Sequence, residues 1–355
     1  MGFREQALAG MERLQILDLL LHGRRLRPRQ ELVVLNYHRI VDGPLLLDPG
    51  VVSATREGFA EQVLQVARFA TPVSIAQVCA ALRGARLPEN PVLITFDDGY
   101  RDNFELALPI LQRHGVPATF FVTTGYIQTQ RLPWWDRISY VVRHSHRQRL
   151  ALTYPMTMSL PLLTPPQRLR TKRLLLKIVK QEVGLDLDRF QVELAQAAAV
   201  EVDEAALSRG LFMDWDEVRA MQAAGMDIGA HTERHRVLQT LSLAEAKDEL
   251  VRPRVELRER LGQAPRAIAY PVGRPLTAES GLRSLVAEAG YELGFTFAKG
   301  LIDLSGLRGG SIIGGHGGRS AGLDPLNLPR LGVELEDRVA AARFKGALAV
   351  PRFLV

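Results

Sequence analysis

The sequence is poor in cysteine, since Cys79 is the only one among 355 residues. A single thiol excludes an intramolecular disulfide and every zinc site built from several cysteines. Cys79 lies in an alanine-rich apolar stretch that suits a helix. Because free cysteines usually behave as small buried hydrophobic residues, we predict a structural thiol here.

The first thirty residues lack a long uninterrupted hydrophobic run. Glu5, Glu12 and Asp18 interrupt the apolar residues, which argues against a signal-peptide core or a membrane span. We therefore expect a cytoplasmic protein. We predict that residues 1–30 form a leader. It suits an ordinary packed helix, which we favour, or a basic amphipathic helix in peripheral contact with the inner face of a membrane. The apolar and basic residues of that amphipathic helix would be Leu14, Leu17, Leu20, Leu21, Arg24, Arg25 and Arg27.

The sequence also lacks a long run of one charge. Its 45 basic and 39 acidic residues leave a net charge of +6, which we take to be spread over the whole chain. Such a diffuse excess gives no reason to expect nucleic acid as a partner. The length allows one large domain or two smaller ones.

What the sequence does contain is an alternation of apolar strands and helices. The predicted strands lie in Glu31–Ile40, Pro91–Phe96 and Ala118–Gly125, and later in the runs MDIGAH, AIAYPVG and ELGFTF. Segments with helical signals separate them, including two that begin with the capping pairs Asp214–Glu217 and Ser242–Glu245. Strands that are apolar throughout predict an α/β fold with a parallel sheet covered on both faces.

The alternation lapses between residues 131 and 210 and resumes beyond them. Helices are predicted there at Pro165–Val183 and Phe190–Val200. We interpret residues 131–210 as a helical insertion in a barrel domain that spans 31–335, followed by a C-terminal tail at 336–355.

Polar side chains follow four of the predicted strands. They are Asn36, Tyr37 and His38; Asp97 and Asp98; His231 and His235; and Tyr270 with Pro271. Because parallel strands direct their carboxyl ends to one edge, we expect these side chains to converge at a site.

Two adjacent acids repel each other unless a cation lies between them or one stays protonated. Two imidazoles and one carboxylate make a three-ligand metal site that leaves coordination positions for water and substrate. We predict Asp98, His231 and His235 as these ligands. Asp97 then points elsewhere and is the candidate general base for a water that the metal activates.

The motifs TFDDGY, HTERH and AYPVG, in this order, resemble the first three motifs of the polysaccharide deacetylase family, also called the NodB-homology domain or carbohydrate esterase family four. The resemblance runs from about Val33 to Val333 and includes LNYHRI and LPWWDR. It implies a distorted (β/α) barrel of about seven strands that hydrolyses N-acetyl or O-acetyl groups on a sugar polymer. Zinc, or else cobalt, nickel or manganese, is the implied metal.

By the same resemblance, the backbone N–H of Tyr270 helps to bind the oxyanion, and Tyr270, Pro271 and Gly273 contact the substrate. Trp134 and Trp135 suit either stacking on sugar rings or anchoring of the insertion to the barrel. An acetylated glycan in envelope or exopolysaccharide synthesis is the expected partner.

The sequence departs from the family pattern at two points. The arginine that usually precedes the aromatic residue of the third motif is absent. Arg266 comes four residues before Tyr270, which is roughly 13 Å along a strand, so we expect it at the opposite end of the strand from the site. Arg274 and Arg330 are the alternatives. The usual late histidine is also absent, which leaves His38, His316 and Arg330 as candidates for the general acid.

Two rival functions remain open at this stage. A haloacid dehalogenase-type phosphatase also has acids after its first strand, but its acids are two positions apart and HTERH has no role in it. The second rival is a catalytically weak or inactive sugar-binding protein on a deacetylase barrel. That function would account for the missing arginine and the missing late histidine.

Overall fold

The computed structural model describes residues 3–24, 29–43, 47–298, 300–304, 311–313, 321–335 and 337–351. Seven parallel strands form its centre: β1 (Glu31–Tyr37), β2 (Pro91–Phe96), β3 (Thr119–Val122), β4 (Asp227–Ala230), β5 (Ala267–Ala269), β6 (Leu293–Phe295) and β7 (Leu331–Gly332).

The strands lie in the order β6-β5-β4-β3-β2-β1-β7, and each neighbouring pair is parallel. A parallel bridge from Phe295 to Leu328 brings the segment before β7 against β6, so the sheet curls back toward its first edge. The prediction of a distorted barrel of about seven strands is confirmed.

The strands with continuous apolar sequences are the ones that the fold buries completely. Every residue of β1, β2 and β3 is buried, as expected for strands that have helices on one face and the barrel interior on the other. The outer helices are Arg56–Phe69, Ile75–Leu82, Leu108–His114, Trp215–Ala223, Leu243–Leu261 and Leu282–Glu288. The two predicted capping boxes, at Asp214–Glu217 and Ser242–Glu245, are both present.

Short strands extend the sheet outside the barrel. Leu301–Asp303, Ser311–Ile313 and Ala321–Gly322 continue antiparallel from the start of β1, and Thr71–Pro72 pairs with the start of β2. Two separate pairs are Arg39–Val41 with Val52–Thr55, and Arg149–Leu152 with Met158–Pro161. Cys79 is buried in the helix Ile75–Leu82, and burial raises the pKa of its thiol to about 11, which confirms a structural thiol.

Residues 131–210, which we interpret as an insertion, are mainly helical. Their helices are Trp134–His144, Pro165–Gln181, Leu187–Ala198 and Glu204–Ser208. The positive charge of the chain proves less evenly spread than we expected, because the helix Pro165–Gln181 has no acidic residue and six basic ones: Arg168, Arg170, Lys172, Arg173, Lys177 and Lys180.

The first and last parts of the chain pack together beside the barrel. The helices Phe3–Arg13, Ile16–Arg24 and Asp337–Ala349 share a small apolar cluster of Leu8, Leu17 and Ala342. Lys345 Nζ lies 2.8 Å from Glu12 and 2.9 Å from Asp18, which ties the two ends electrostatically. Arg25 and Arg27 lie outside the described residues. Within the described ranges, no helix combines the length and apolar character needed to cross a bilayer.

Candidate metal centre and active site

The carboxyl ends of the barrel strands bring the predicted residues together. Asp97 and Asp98 directly follow β2, and His231 directly follows β4. All three are almost fully buried, with at most 2% of their surface exposed, and His235 is 8% exposed. The predicted convergence therefore produces a buried polar cluster.

Asp98, His231 and His235 lie at distances that suit a shared cation. Asp98 Oδ1 is 3.4 Å from His231 Nε2 and 3.3 Å from His235 Nε2. One donor atom from each residue fits within 4.8 Å of the others. Asp98 Oδ1 is buried without a hydrogen-bond partner, which is costly unless a ligand satisfies it.

The surrounding backbone orients these side chains. His231 Nδ1 donates to the carbonyl of Ala269 at 2.8 Å, so Nε2 presents its lone pair toward Asp98. Asp98 and His235 both have left-handed backbones, with φ of 75° and 54°. Such conformations cost free energy and persist where the surrounding structure enforces them, often at functional sites.

The electrostatics fit a cation. Burial lowers the pKa of His235 to about 3, so its ring is neutral and can act as a ligand. Burial alone would raise the pKa of Asp98, but the two histidine rings hold it well below its ordinary value. Two imidazole nitrogens and a carboxylate oxygen are the donors that zinc and neighbouring divalent metals prefer, so these residues fit such an ion.

Arg330 pairs with Asp97 from the far side of the barrel. Its Nη1 and Nη2 donate to the two carboxylate oxygens at 2.8 Å each, and Arg330 is only 2% exposed. Nη1 also donates to Asn36 Oδ1 at 2.5 Å. Burial alone would raise the pKa of Asp97, but Arg330 and then His231 outweigh burial and hold it below its ordinary value.

The other arginine candidates do not reach Asp97. Arg266 forms an ion pair with Glu292, at 2.5 Å and 2.9 Å, toward the opposite end of β5 and β6, as the strand spacing predicted. No contact of Arg274 with Asp97 occurs among the described residues. Of the three arginines considered, Arg330 is therefore the one that contacts Asp97 in the described part of the chain.

His38 is the described histidine that approaches Asp97 from outside the ligand set. Its Nε2 lies 4.0 Å from Asp97 Oδ2, and 27% of its side chain is exposed. Its ring faces Phe297, with 6.2 Å between ring centroids. His316 lies outside the described residues.

The structure contradicts the prediction that the Tyr270 N–H binds an oxyanion. That N–H donates to the Phe295 carbonyl at 3.0 Å, and the phenol donates to the Leu326 carbonyl at 2.9 Å. Tyr270 is 2% exposed and buried between β5 and β6, so it is not available to substrate either. Val272, which has a left-handed φ of 62°, lines the site cavity instead.

Pro271 and Gly273 are likewise not among the residues that line this cavity. Both are buried, and a Cβ on Gly273 would lie 2.3 Å from the Phe297 ring. Gly273 therefore allows Phe297 to approach and form part of the wall. Its contact with substrate stays a prediction, and the structure gives it the additional role of making room for Phe297.

Trp134 and Trp135 support His235. The Trp135 and His235 ring centroids are 4.4 Å apart, and Trp134 Nε1 donates to the His235 carbonyl at 3.3 Å. Both indoles are nearly buried, at 3% and 5% exposure, although both line the cavity. These contacts agree with anchoring of the insertion, and stacking on sugar stays a prediction.

The site opens into a cavity of about 1290 Å³. Barrel residues form one part of its lining, while the insertion helix Pro165–Gln181 and the last helix form another, which the sequence did not lead us to expect. Lining residues from these helices include Leu169, Arg173, Leu176, Lys180, Phe344 and Ala347. The six basic residues in the stretch Arg168–Lys180 were the available signal.

Comparisons with known proteins agree with this geometry. Residues 84–294, more than half of the chain, match the polysaccharide deacetylase family. Over 104 residues the chain is 33% identical to the poly-β-1,6-N-acetyl-D-glucosamine N-deacetylase of Escherichia coli K12, and the alignment covers 29% of this chain but 15% of that protein.

Two solved structures share the fold. The Streptococcus pyogenes deacetylase PplD, in complex with acetate, has a TM-score of 0.53 and 19% identity, with 90% of this chain and 99% of that one covered. IcaB from Ammonifex degensii has a TM-score of 0.51 and 20% identity, with 90% and 98% covered. The family match, together with this shared fold, shows that the chain belongs to the polysaccharide deacetylase family.

Proposed function

We propose that the protein is a metal-dependent hydrolase that removes acetyl groups, most readily N-acetyl groups, from a polysaccharide or a glycan precursor in envelope or exopolysaccharide synthesis. The observation that carries this proposal is the arrangement of one carboxylate held by arginine, Asp97, directly beside three residues that fit a metal. We further propose a cytoplasmic location with peripheral contact at the inner face of the membrane.

Asp98, His231 and His235 would hold the metal, with zinc as the first candidate and cobalt, nickel or manganese as alternatives. When bound, such an ion polarises a carbonyl and acidifies water. Asp97 accepts the proton of the attacking water, and Arg330 keeps its carboxylate ionised and oriented. Val272, which lines the cavity, is our candidate for a backbone N–H donor to the developing oxyanion, and His38 is our candidate for the acid that protonates the departing nitrogen.

The inactive sugar-binding alternative loses support from the Arg330 pair. That alternative rested on the absence of an arginine partner for Asp97 and of a late histidine. Arg330 supplies the first across the barrel, and His38 lies where it can supply the second. An intact arginine–carboxylate pair beside three groups that fit a metal supports catalysis over sugar binding alone.

A paired assay tests the proposed function. Zinc-loaded protein is incubated with an oligomer of N-acetylglucosamine and, separately, with a phosphate monoester. We expect acetate from the first and no phosphate from the second. Phosphate release without acetate release would favour the phosphatase, and sugar binding without either product would favour the non-catalytic protein.

Replacing Arg330 should shift the pH dependence of the reaction. Arg330→Gln removes the largest opposing effect on the burial of Asp97, so the pKa of Asp97 rises and the base is protonated at higher pH than in the unaltered protein. We expect the acidic limb of kcat/KM to move upward and the rate near neutral pH to fall by about 10- to 100-fold.

The measurement is kcat/KM for acetate release between pH 5 and pH 9. Arg266→Gln is the matched control, because Arg266 pairs with Glu292 away from the site, and its pH profile should be unchanged. An Arg330→Gln profile that coincides with that of the unaltered protein would show that Arg330 does not set the ionisation of Asp97.

A further inference from the structure

The insertion helix Pro165–Gln181 combines strong positive charge with apolar residues. One side of it lines the same cavity as Asp97 and the candidate metal ligands, through Leu169, Lys172, Arg173, Leu176 and Lys180. A helix with six basic residues and no acidic one is typical of a surface that contacts anionic groups.

Two of the cavity-lining cations have no ion-pair partner in direct contact among the residues that the structure describes. Lys172 Nζ is neutralised by Asp48 at 2.8 Å, and across the cavity Arg343 lies 3.8 Å from Glu334. Arg173 and Lys180, by contrast, form no ion pair or hydrogen bond within the described part of the chain. Lys180 is half-buried, and burial lowers its pKa because it disfavours the charged ammonium group. An anion bound beside Lys180 would stabilise that charge.

Apolar side chains accompany these cations. Leu169 and Leu176 lie on the basic helix, and Leu8, Phe344 and Ala347 come from the terminal helices. Leu14, in the turn between the first two helices, and Leu19, on the second of them, are 73% and 72% exposed. The unit that lines the cavity therefore also presents leucines at its outer surface, where a hydrocarbon chain or a bilayer can contact them.

The basic helix is fixed close to the candidate metal ligands. Just after it ends, the Gly184 N–H donates to the Thr240 carbonyl at 3.0 Å, and Thr240 lies in the segment that follows His235. Lys180 is close enough to Asp48 and Arg274 for both charges to affect its pKa, Asp48 raising it and Arg274 lowering it. A volume of about 1290 Å³ exceeds that of ordinary small-molecule pockets and accommodates more than one sugar.

We propose that the substrate is an anionic glycolipid, in which an N-acetylated sugar is joined through a phosphate to a hydrocarbon chain. Arg173 and Lys180 bind the phosphate, and the apolar wall between the basic helix and the terminal helices receives the chain. This inference rests on the proposed deacetylase function and specifies its substrate class.

Four substrates with the same N-acetylglucosamine disaccharide separate the contributions: the free sugar, its phosphate, its neutral alkyl glycoside and its alkyl phosphate. Acetate release is measured with the zinc-loaded protein. We expect kcat/KM to be highest for the alkyl phosphate, by about tenfold or more over the neutral alkyl glycoside and over the phosphate without a chain.

The double variant Arg173→Gln/Lys180→Gln should lose the advantage of the phosphate while hydrolysing the neutral alkyl glycoside at the original rate. The matched control is Lys177→Gln, which removes an exposed cation from the same helix but from outside the cavity lining, and it should keep the preference. Unchanged thermal midpoints for both variants establish that the fold is retained.

The possible failures are distinct. Equal kcat/KM for all four substrates would overturn this inference and leave the deacetylase function intact, whereas no acetate from any of them would contradict the deacetylase function itself. A preference for phosphate that ignores the alkyl chain, or one that survives the double variant, would also overturn the inference.

Discussion

Asp97→Asn is expected to lower acetate release by about 10³-fold and to leave the bound metal in place. Asparagine matches aspartate in shape but cannot accept the proton of the attacking water. Asp98, His231 and His235 are untouched, because the side chains of Asp97 and Asp98 point to different partners: Asp97 contacts Arg330, and Asp98 contacts the two histidines. Turnover and metal content should therefore separate in this variant.

The measurement combines single-turnover acetate release with metal analysis after dialysis. Asp248→Asn, which removes an exposed carboxylate from the helix Leu243–Leu261, is the control and should keep both properties. Full acetate release by Asp97→Asn would show that another group is the base. Loss of metal together with activity would show that Asp97 is a ligand.

His231→Ala should remove the metal and, with it, nearly all turnover. His231 is held by its hydrogen bond to Ala269 and supplies one of three donors, so its removal leaves only two, too few for a stable site. In the unaltered protein, zinc at about 1,000 times its Kd should stabilise the folded state by about 4 kcal/mol. His231→Ala should gain almost none of this.

Thermal unfolding with and without zinc measures this difference independently of activity. His146→Ala is the control, because His146 is exposed in the insertion and contacts none of the candidate ligands. It should show the same zinc-dependent increase in Tm as the unaltered protein. An equal increase in His231→Ala would place the bound metal elsewhere.

The parts of the site that could be predicted from sequence are those encoded by short segments. Asp97 and Asp98 end one apolar strand, and His231 and His235 follow another, so the rule that parallel strands point their carboxyl ends to one edge sufficed to bring them together. The fold could also be predicted from short segments, because fully apolar strands that alternate with capped helices are compatible with few architectures.

The parts that the sequence left open or predicted wrongly depend on closure of the barrel and on single-residue placement, and the choice between Arg274 and Arg330 is one that it left open. Arg330 contacts Asp97 across 233 residues of sequence, and only the pairing of β7 with β1 brings them together. The predicted oxyanion contact of the Tyr270 N–H is wrong because that N–H continues the pairing of β5 with β6. Val272 lines the cavity instead. The basic helix was predicted as a helix, but apart from its positive charge nothing local in its sequence indicates that it lines the cavity.

Metal dependence is tested most directly by zinc titration of chelator-treated protein, followed by acetate release from an N-acetylglucosamine oligomer. We predict negligible release without metal and a rise that saturates at one zinc per chain. Undiminished acetate release from the fully metal-depleted protein would contradict it.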